Sequence, residues 1–453
     1  MNRISSARIE RLRAEFSGSV ITPSDAAYDE ARRVHNGLVD KRPAVIARCA
    51  TAADVAAAVQ FARESEAEIS VRGGGHNVAG KAVTDGGVMI DLSPIKTTNV
   101  DPEARTITAG GGVTWNELNQ AAHVHGLATT GGVVSTTGIA GLTLGGGVGW
   151  IMGKHAMAVD NLTSAEVVLA SGEVVTANER SEPDLFWAIR GGGGNFGVVT
   201  SFQYRAYPLP TVLGGVVAHP LPAAPGVFGF YRELTAAVPD DLSVYFEFAH
   251  APDGSGVKLC GLPVCHAGED QARAEADVRP VREFGPPAAD LIQRMPYPTM
   301  NTLVDEAFPR GAFNYWKSAF LTELSDQAIA KMAEAFQNSP TTMCLLLVEH
   351  FHGAVTRVDP AATAFPHRQP GYNCVIISQW TDPAQTGDAI RWARETFDSL
   401  RPHMADTAYV NYLDHDDASR VAAAYGPNYE RLVELKRRYD PGNLFRLNQN
   451  IAP

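Results

Sequence analysis

Short apolar runs and capped amphipathic stretches take turns along the first third of the chain, which predicts strands interleaved with helices. Arg42-Pro43 leads into the apolar run AVIARC (44–49), a strand, and Thr51 with Asp54 reads as a capping box opening a helix that ends near Glu64. The run EISVR (68–72) is a second strand entering Gly73-Gly74-Gly75-His76, and VMIDL (88–92) is a third. Thr114 and Glu117 open a further helix ending at Gly126. Apolar runs on either side of Ser171-Gly172 predict a hairpin. Residues 181–190 read as a short helix, and the run after Gly197 reads as a strand.

The pattern changes at Pro208-Leu209-Pro210, beyond which glycine clusters vanish. Alternating runs such as 242–248 predict strands, and 269–284, 324–337 and 385–400 have helical periodicity. From about residue 405 tyrosine and asparagine become dense, in YVNY, YGPNY and NQN. We read a nucleotide-binding portion over 1–208, a substrate portion over 209–404 and a segment over 405–453 that returns to the first.

Composition narrows the partners. A net charge of −12, with basic residues clustering no further than Lys436-Arg437-Arg438, argues against nucleic acid or an anionic membrane. No apolar stretch reaches the roughly 18 residues of a membrane span, and the opening sixteen residues lack a signal-peptide core. Five scattered cysteines without a CxxC pair indicate neither a disulfide framework nor a thiolate metal site, so a reducing, cytoplasmic setting is expected.

The candidate chemistry begins with three glycine clusters, 73–75, 145–147 and 191–194. Each sits at an element boundary, where backbone N–H groups can approach a diphosphate closely. No GxxxxGK[ST] occurs, which excludes a P-loop, and the spacing around 145–149 does not give the GxGxxG of a nicotinamide-binding domain. His350 and His352 alternate onto one strand face beside Glu349 but lack a third ligand, so a substrate-pocket role is weighed and no metal is expected. The run Asp414-His415-Asp416-Asp417 reads as a solvated turn.

The ordered set RPAVIARC, ISVRGGGHN, TGIAGLTLGGGVGW, PDLFWAIRGGGGNFGVVT, TAFPHR and YGPNYERLVELKRRYDPGNLFRLNQNI resembles the berberine-bridge-enzyme-like branch of the vanillyl-alcohol-oxidase flavoproteins. The match spans most of the chain and is loose only over about 210–340. It implies an α+β fold: a two-subdomain FAD-binding domain and a substrate domain whose antiparallel sheet is covered by helices. It also implies FAD bound covalently through His76. Many relatives add a cysteinyl bond, but Val134 stands at that position here, so a single link is expected. Cofactor contacts are implied at Arg72, Gly73, Gly74, Gly75 and Asn77, and at Val133, Thr137, Gly138, Gly141, Leu142, Gly145 and Gly147. Gly197, Val199, Tyr409, Asn411 and Asn448 complete that set, with Tyr409 and Asn411 on one strand face.

Relatives use the second tyrosine of Tyr-x-Asn-Tyr as catalytic base, which is Tyr412 here. A phenol needs a cation or a hydrogen-bond donor nearby to act as a base near neutrality. The implied activity is hydride removal from a small organic substrate (alcohol, amine, sugar or polyketide-like), then reoxidation by dioxygen to hydrogen peroxide. Thr137 falls at a position where, in plant relatives, a small residue admits oxygen and leucine excludes it. Thr137 and Leu142 also match relatives that oxygenate polyketide-like substrates, so that alternative stays open, as does a non-catalytic flavin-binding protein. A monomer or a homodimer is expected.

Overall fold

Thr51 caps the helix Ala52–Glu64 as its sequence dictates. The Asp54 N–H donates to Thr51 Oγ1 at 3.2 Å, and the Asp54 carboxylate accepts from the Thr51 N–H at 3.2 Å. The protein is described here by a computed structural model covering residues 4–453. Residues 1–3, with which the expected portion 1–208 begins, lie outside the described residues. The helix packs on a four-stranded sheet in the order Ser19–Ile21, Val45–Arg48, Val88–Asp91, Ile69–Arg72, whose last three strands are parallel. A second sheet, antiparallel, runs Thr98–Asp101, Thr106–Gly110, Val198–Arg205, Leu162–Val168, Val174–Asn178. Its last two strands are the expected hairpin, with Gly172 at a φ of +90° in the turn.

The third sheet has nine antiparallel strands. Its central run is Thr211–Pro220, Lys258–His266, Phe246–His250, Leu345–Phe351, Gly371–Trp380 and, at the edge, Phe313–Leu321. Strand alternation gives it two unlike faces. Leu346, Val348 and Ile376 meet Phe228, Val278, Met332 and Trp392 of the helices Ala224–Thr235, Gln271–Glu283, Asp326–Gln337 and Thr386–Leu400. Trp316, Leu347, Val375 and Ile377 turn the other way, toward the cavity described below. The α+β expectation therefore holds. No helix among the described residues is long and apolar enough to cross a membrane.

Three sequence expectations need correction. The run 242–248 is two strands, Leu242–Val244 and Phe246–His250, because Tyr245 leaves the ladder and its N–H donates to Pro263 O. Residues 410–412 form a 3₁₀ turn, Val410–Tyr412, so Tyr409 and Asn411 share no strand face. The acidic run is only half solvated: His415 and Asp416 are exposed, but Asp414 and Asp417 are 1% and 4% exposed. Lys317, in the edge strand, reaches Asp416 at 2.5 Å and Asp417 at 3.0 Å, and Asp414 accepts the Trp316 N–H at 3.0 Å. Burial makes the Asp417 and Asp414 carboxylates costly without partners, which Lys317 supplies to the first and backbone N–H groups to the second.

Replacing that lysine should expose the cost. Lys317→Met is expected to lower the unfolding free energy by about 3 kcal/mol, the usual loss when one half of a buried ion pair is removed. Denaturant unfolding followed by tryptophan fluorescence checks it. A change under about 0.5 kcal/mol would mean that the cluster is hydrated in solution.

Candidate active site

A long cavity runs between the first two sheets and the inner face of the third, and the C-terminal segment closes it. One end is backbone. The loop Gly73–His76 leaves the strand Ile69–Arg72 and lies against residues 137–138 so closely that a Cβ on Gly74 or on Gly138 would overlap the other's main chain. Gly141 and Gly194, by contrast, face open space inside the cavity. The lining also takes in Gly73, Gly75, Asn77, Val133, Thr137, Leu142, Gly145, Gly197, Val199 and Asn448. Of the three glycine clusters, 73–75 lines the cavity whole, and the other two contribute Gly145, Gly193 and Gly194.

Arg72, Gly147 and Tyr409 do not line it. Arg72 is spent beneath the loop: its Nε and Nη2 donate to the buried Asp91 carboxylate at 3.0 and 2.7 Å, and its Nη1 donates to Arg33 O at 2.8 Å. That fork fixes the strand end from which the glycine loop departs. Tyr409 stands one layer back, its hydroxyl accepting from the Gly147 N–H and from Asn411 Nδ2, each at 2.8 Å. Asn411 Nδ2 also donates to Leu142 O at 3.0 Å. Gly145 must be glycine because a Cβ there would occupy the Asn411 amide.

His76 enters the cavity stacked on His35, with ring centroids 3.8 Å apart. Its Nε2 is buried without a hydrogen-bond partner. Burial, and after it the nearness of His35, hold the imidazole down to about 3, so at neutral pH the ring keeps a free lone pair.

Tyr412 lines the same cavity, with Glu349 of the strand Leu345–Phe351 behind it, and its segment meets the His76 loop where Asn77 Nδ2 donates to Asn411 O at 3.5 Å. The Tyr412 hydroxyl donates to Glu349 Oε1 at 2.7 Å, and Asn373 Nδ2 donates to Oε2 at 2.8 Å. Complete burial pushes the Glu349 carboxyl up to about 7 against the opposing pull of those two hydrogen bonds. Tyr412 is raised well above the ordinary phenol value, by burial first and by the adjacent carboxylate second. The cation or donor expected to lower it is replaced by an acceptor.

His350 and His352 are not part of this group. Alternation sends His350 to the helix-covered face, where it stacks on His352 and on Tyr372 in a separate cleft. No group of three or more His, Cys, Asp or Glu able to hold a metal occurs among the described residues. Sequence reasoning missed Lys81, the one Lys or Arg among the described residues that line the cavity; burial lowers it to about 8, and its Nζ donates to Gln449 Oε1 at 2.8 Å. It also missed the apolar wall of Phe308, Trp316, Leu347, Val375 and Ile377. Strand alternation in 345–351 and 372–380 carried the signal for the last three.

The arrangement suits a flavin dinucleotide. Stacked glycine loops leave space for a diphosphate at backbone distance, and the orphaned His76 Nε2 and Asn448 Oδ1 await partners.

Comparison with known proteins agrees. A family model described as FAD binding domain matches residues 43–178, and one described as berberine and berberine like matches 408–452. The (R)-6-hydroxynicotine oxidase of Paenarthrobacter nicotinovorans is 33% identical over 97% of this chain and 97% of its own. The crystal structure of 6-hydroxy-D-nicotine oxidase from Arthrobacter nicotinovorans superposes with a TM-score of 0.89 at 29% identity, covering 97% of this chain and 98% of that one. Xylooligosaccharide oxidase from Myceliophthora thermophila, solved with xylobiose, shares the fold at a TM-score of 0.84 and 24% identity, over 98% and 99% of the two chains. On these matches over nearly its whole length, this chain belongs to the berberine-bridge-enzyme-like FAD-linked oxidoreductases of the vanillyl-alcohol-oxidase flavoprotein family.

Proposed function

We propose that this protein is an oxidase that holds FAD covalently on His76 alone, removes a hydride from a small alcohol or amine, and passes the electrons to dioxygen. The observation that carries the reading is the hydrogen bond from Tyr412 to buried Glu349 beside the cavity that the glycine loops also line. FAD held there by the glycine loops and His76 would supply a hydride acceptor that dioxygen can reoxidise, with hydrogen peroxide as the product.

The chain's own part is positioning and proton transfer. Tyr412 stays protonated, with its hydrogen pointed at Glu349, so its oxygen keeps lone pairs for a substrate O–H or N–H. As the substrate proton moves to Tyr412, the phenolic proton moves to Glu349, and no phenolate need accumulate. The two groups act as one base whose affinity is set by a carboxyl near 7. Burial of Glu349 keeps that base matched to neutral pH, and Asn373 fixes its orientation.

His76 is already the neutral nucleophile that attachment to a carbon requires. Val134 lines the cavity where a second attachment would form, and no cysteine lies among the residues lining it. Thr137, also in the lining, is small enough to leave dioxygen a path.

Acid precipitation of the purified protein should leave the yellow colour in the pellet, and digestion should give one flavinylated peptide, containing His76. His76→Ala should release the colour; a cysteinyl adduct would refute single attachment. For the proton relay, rapid mixing under anaerobic conditions should show flavin reduction rising with pH through about 7 and levelling above it, because Glu349 accepts a proton only as the carboxylate. Glu349→Gln should remove that ionisation, and Tyr412→Phe should slow reduction by roughly 100- to 10,000-fold. Reduction within about threefold of the parent in both variants would return Tyr412 to a packing role. Reduced protein mixed with aerated buffer should reoxidise within seconds, and Thr137→Leu should slow it; reoxidation over many minutes would point to another electron acceptor.

A further inference from the structure

We propose that the substrate is an aryl-bearing alcohol or amine with a single polar reacting centre, and that a sugar is excluded. The inference rests on the oxidase reading above and goes beyond it by naming the class of molecule the site accepts.

The ground is the wall facing Tyr412. Four side chains of the nine-stranded sheet line the cavity there: Trp316, Leu347, Val375 and Ile377. Phe308 joins them from the preceding loop, edge-on to Trp316 with centroids 5.9 Å apart. Trp316 is in turn tilted onto Tyr412, centroids 5.8 Å apart. The indole N–H, the one polar group on these five side chains, is already donated to Asn314 Oδ1 at 3.1 Å. Asn373 donates its Nδ2 to Glu349, and its unpaired Oδ1 is buried on a residue that does not line the cavity.

A molecule against this wall therefore finds aromatic faces, methyl groups and one hydrogen-bonding station, Tyr412 with Glu349. An aryl carbinol or an aryl-substituted amine matches that inventory: the ring meets Trp316 and Phe308, and the O–H or N–H meets Tyr412. An oligosaccharide does not, because several hydroxyls would lose water without gaining partners. Each unmatched hydroxyl weakens binding about tenfold. A secondary aryl carbinol that gave up its C–H as hydride to bound flavin and its O–H proton to the Tyr412–Glu349 pair would leave a ketone, so the ketone serves as an inert, product-shaped probe.

The oxidised holoprotein would be titrated with acetophenone, 2-acetonaphthone and xylobiose, following the flavin absorbance. The second ring of 2-acetonaphthone adds apolar contact, so it should bind about tenfold tighter than acetophenone and about a hundredfold or more tighter than xylobiose. Trp316→Ala should weaken the naphthyl ketone about tenfold, while Trp316→Phe, which keeps an aromatic face and the fold, should weaken it less than threefold. 1-(2-Naphthyl)ethanol and the matching amine should bleach the flavin anaerobically, and xylobiose should not. Three results would overturn the proposal: xylobiose binding as tightly as the ketones, naphthyl and phenyl ketones binding alike, or indifference of the naphthyl ketone to Trp316→Ala. A yellow protein that no aryl probe perturbs overturns the substrate class and leaves the flavin reading standing; a colourless protein overturns the reading beneath it.

Discussion

Lys317 extends from an edge strand into a pocket holding Asp416 and Asp417, and the position of everything at the reacting end follows from where that lysine is. The strand that carries it also carries Trp316, and the loop that carries the aspartates begins just after Tyr412. Tyr315 and Arg394 reinforce the join through Asp416, and Asp414 grips the Trp316 backbone. The distance between the proton-accepting pair and the apolar wall is thus set by electrostatics outside the cavity.

The nine-stranded sheet solves a second problem by geometry alone. One face must be packed by helices to be stable, and the other must remain open to a ligand. Period-two alternation sends Leu346, Val348 and His350 one way and Leu347 and Glu349 the other. A carboxylate facing a ligand cavity costs little folding stability if it can hold its proton, and burial lets Glu349 do so up to about neutrality. The same desolvation that would be a fault in a core residue sets the working range of the base.

What could be read beforehand was what local stereochemistry dictates. The Thr51–Asp54 box and the Ser171-Gly172 hairpin each depend on neighbours within a few residues, and each appears where expected. Long-range assembly overruled the rest. Nothing near Asp414 in the chain announces a lysine almost a hundred residues earlier, so the acidic run looked hydrated. Tyr412 was legible as a cavity residue, but its partner Glu349 was grouped with His350 and His352, although alternation along their strand already separated them. Arg72 reads as a ligand contact because it adjoins a ligand loop; its guanidinium is instead taken by Asp91, a residue whose pairing only the parallel sheet reveals.

The mutual contact of Gly74 and Gly138 has an evolutionary implication. Main chain touches main chain there, so no compensating change elsewhere can make room for a methyl group on either side. The wall of Trp316, Leu347, Val375 and Ile377 is the reverse case: its members meet one another and the cavity through side chains, where a change in one can be met by a change in its neighbour. Variation in what the protein acts upon can therefore accumulate residue by residue on one side of the cavity, while the side that meets the nucleotide admits almost none.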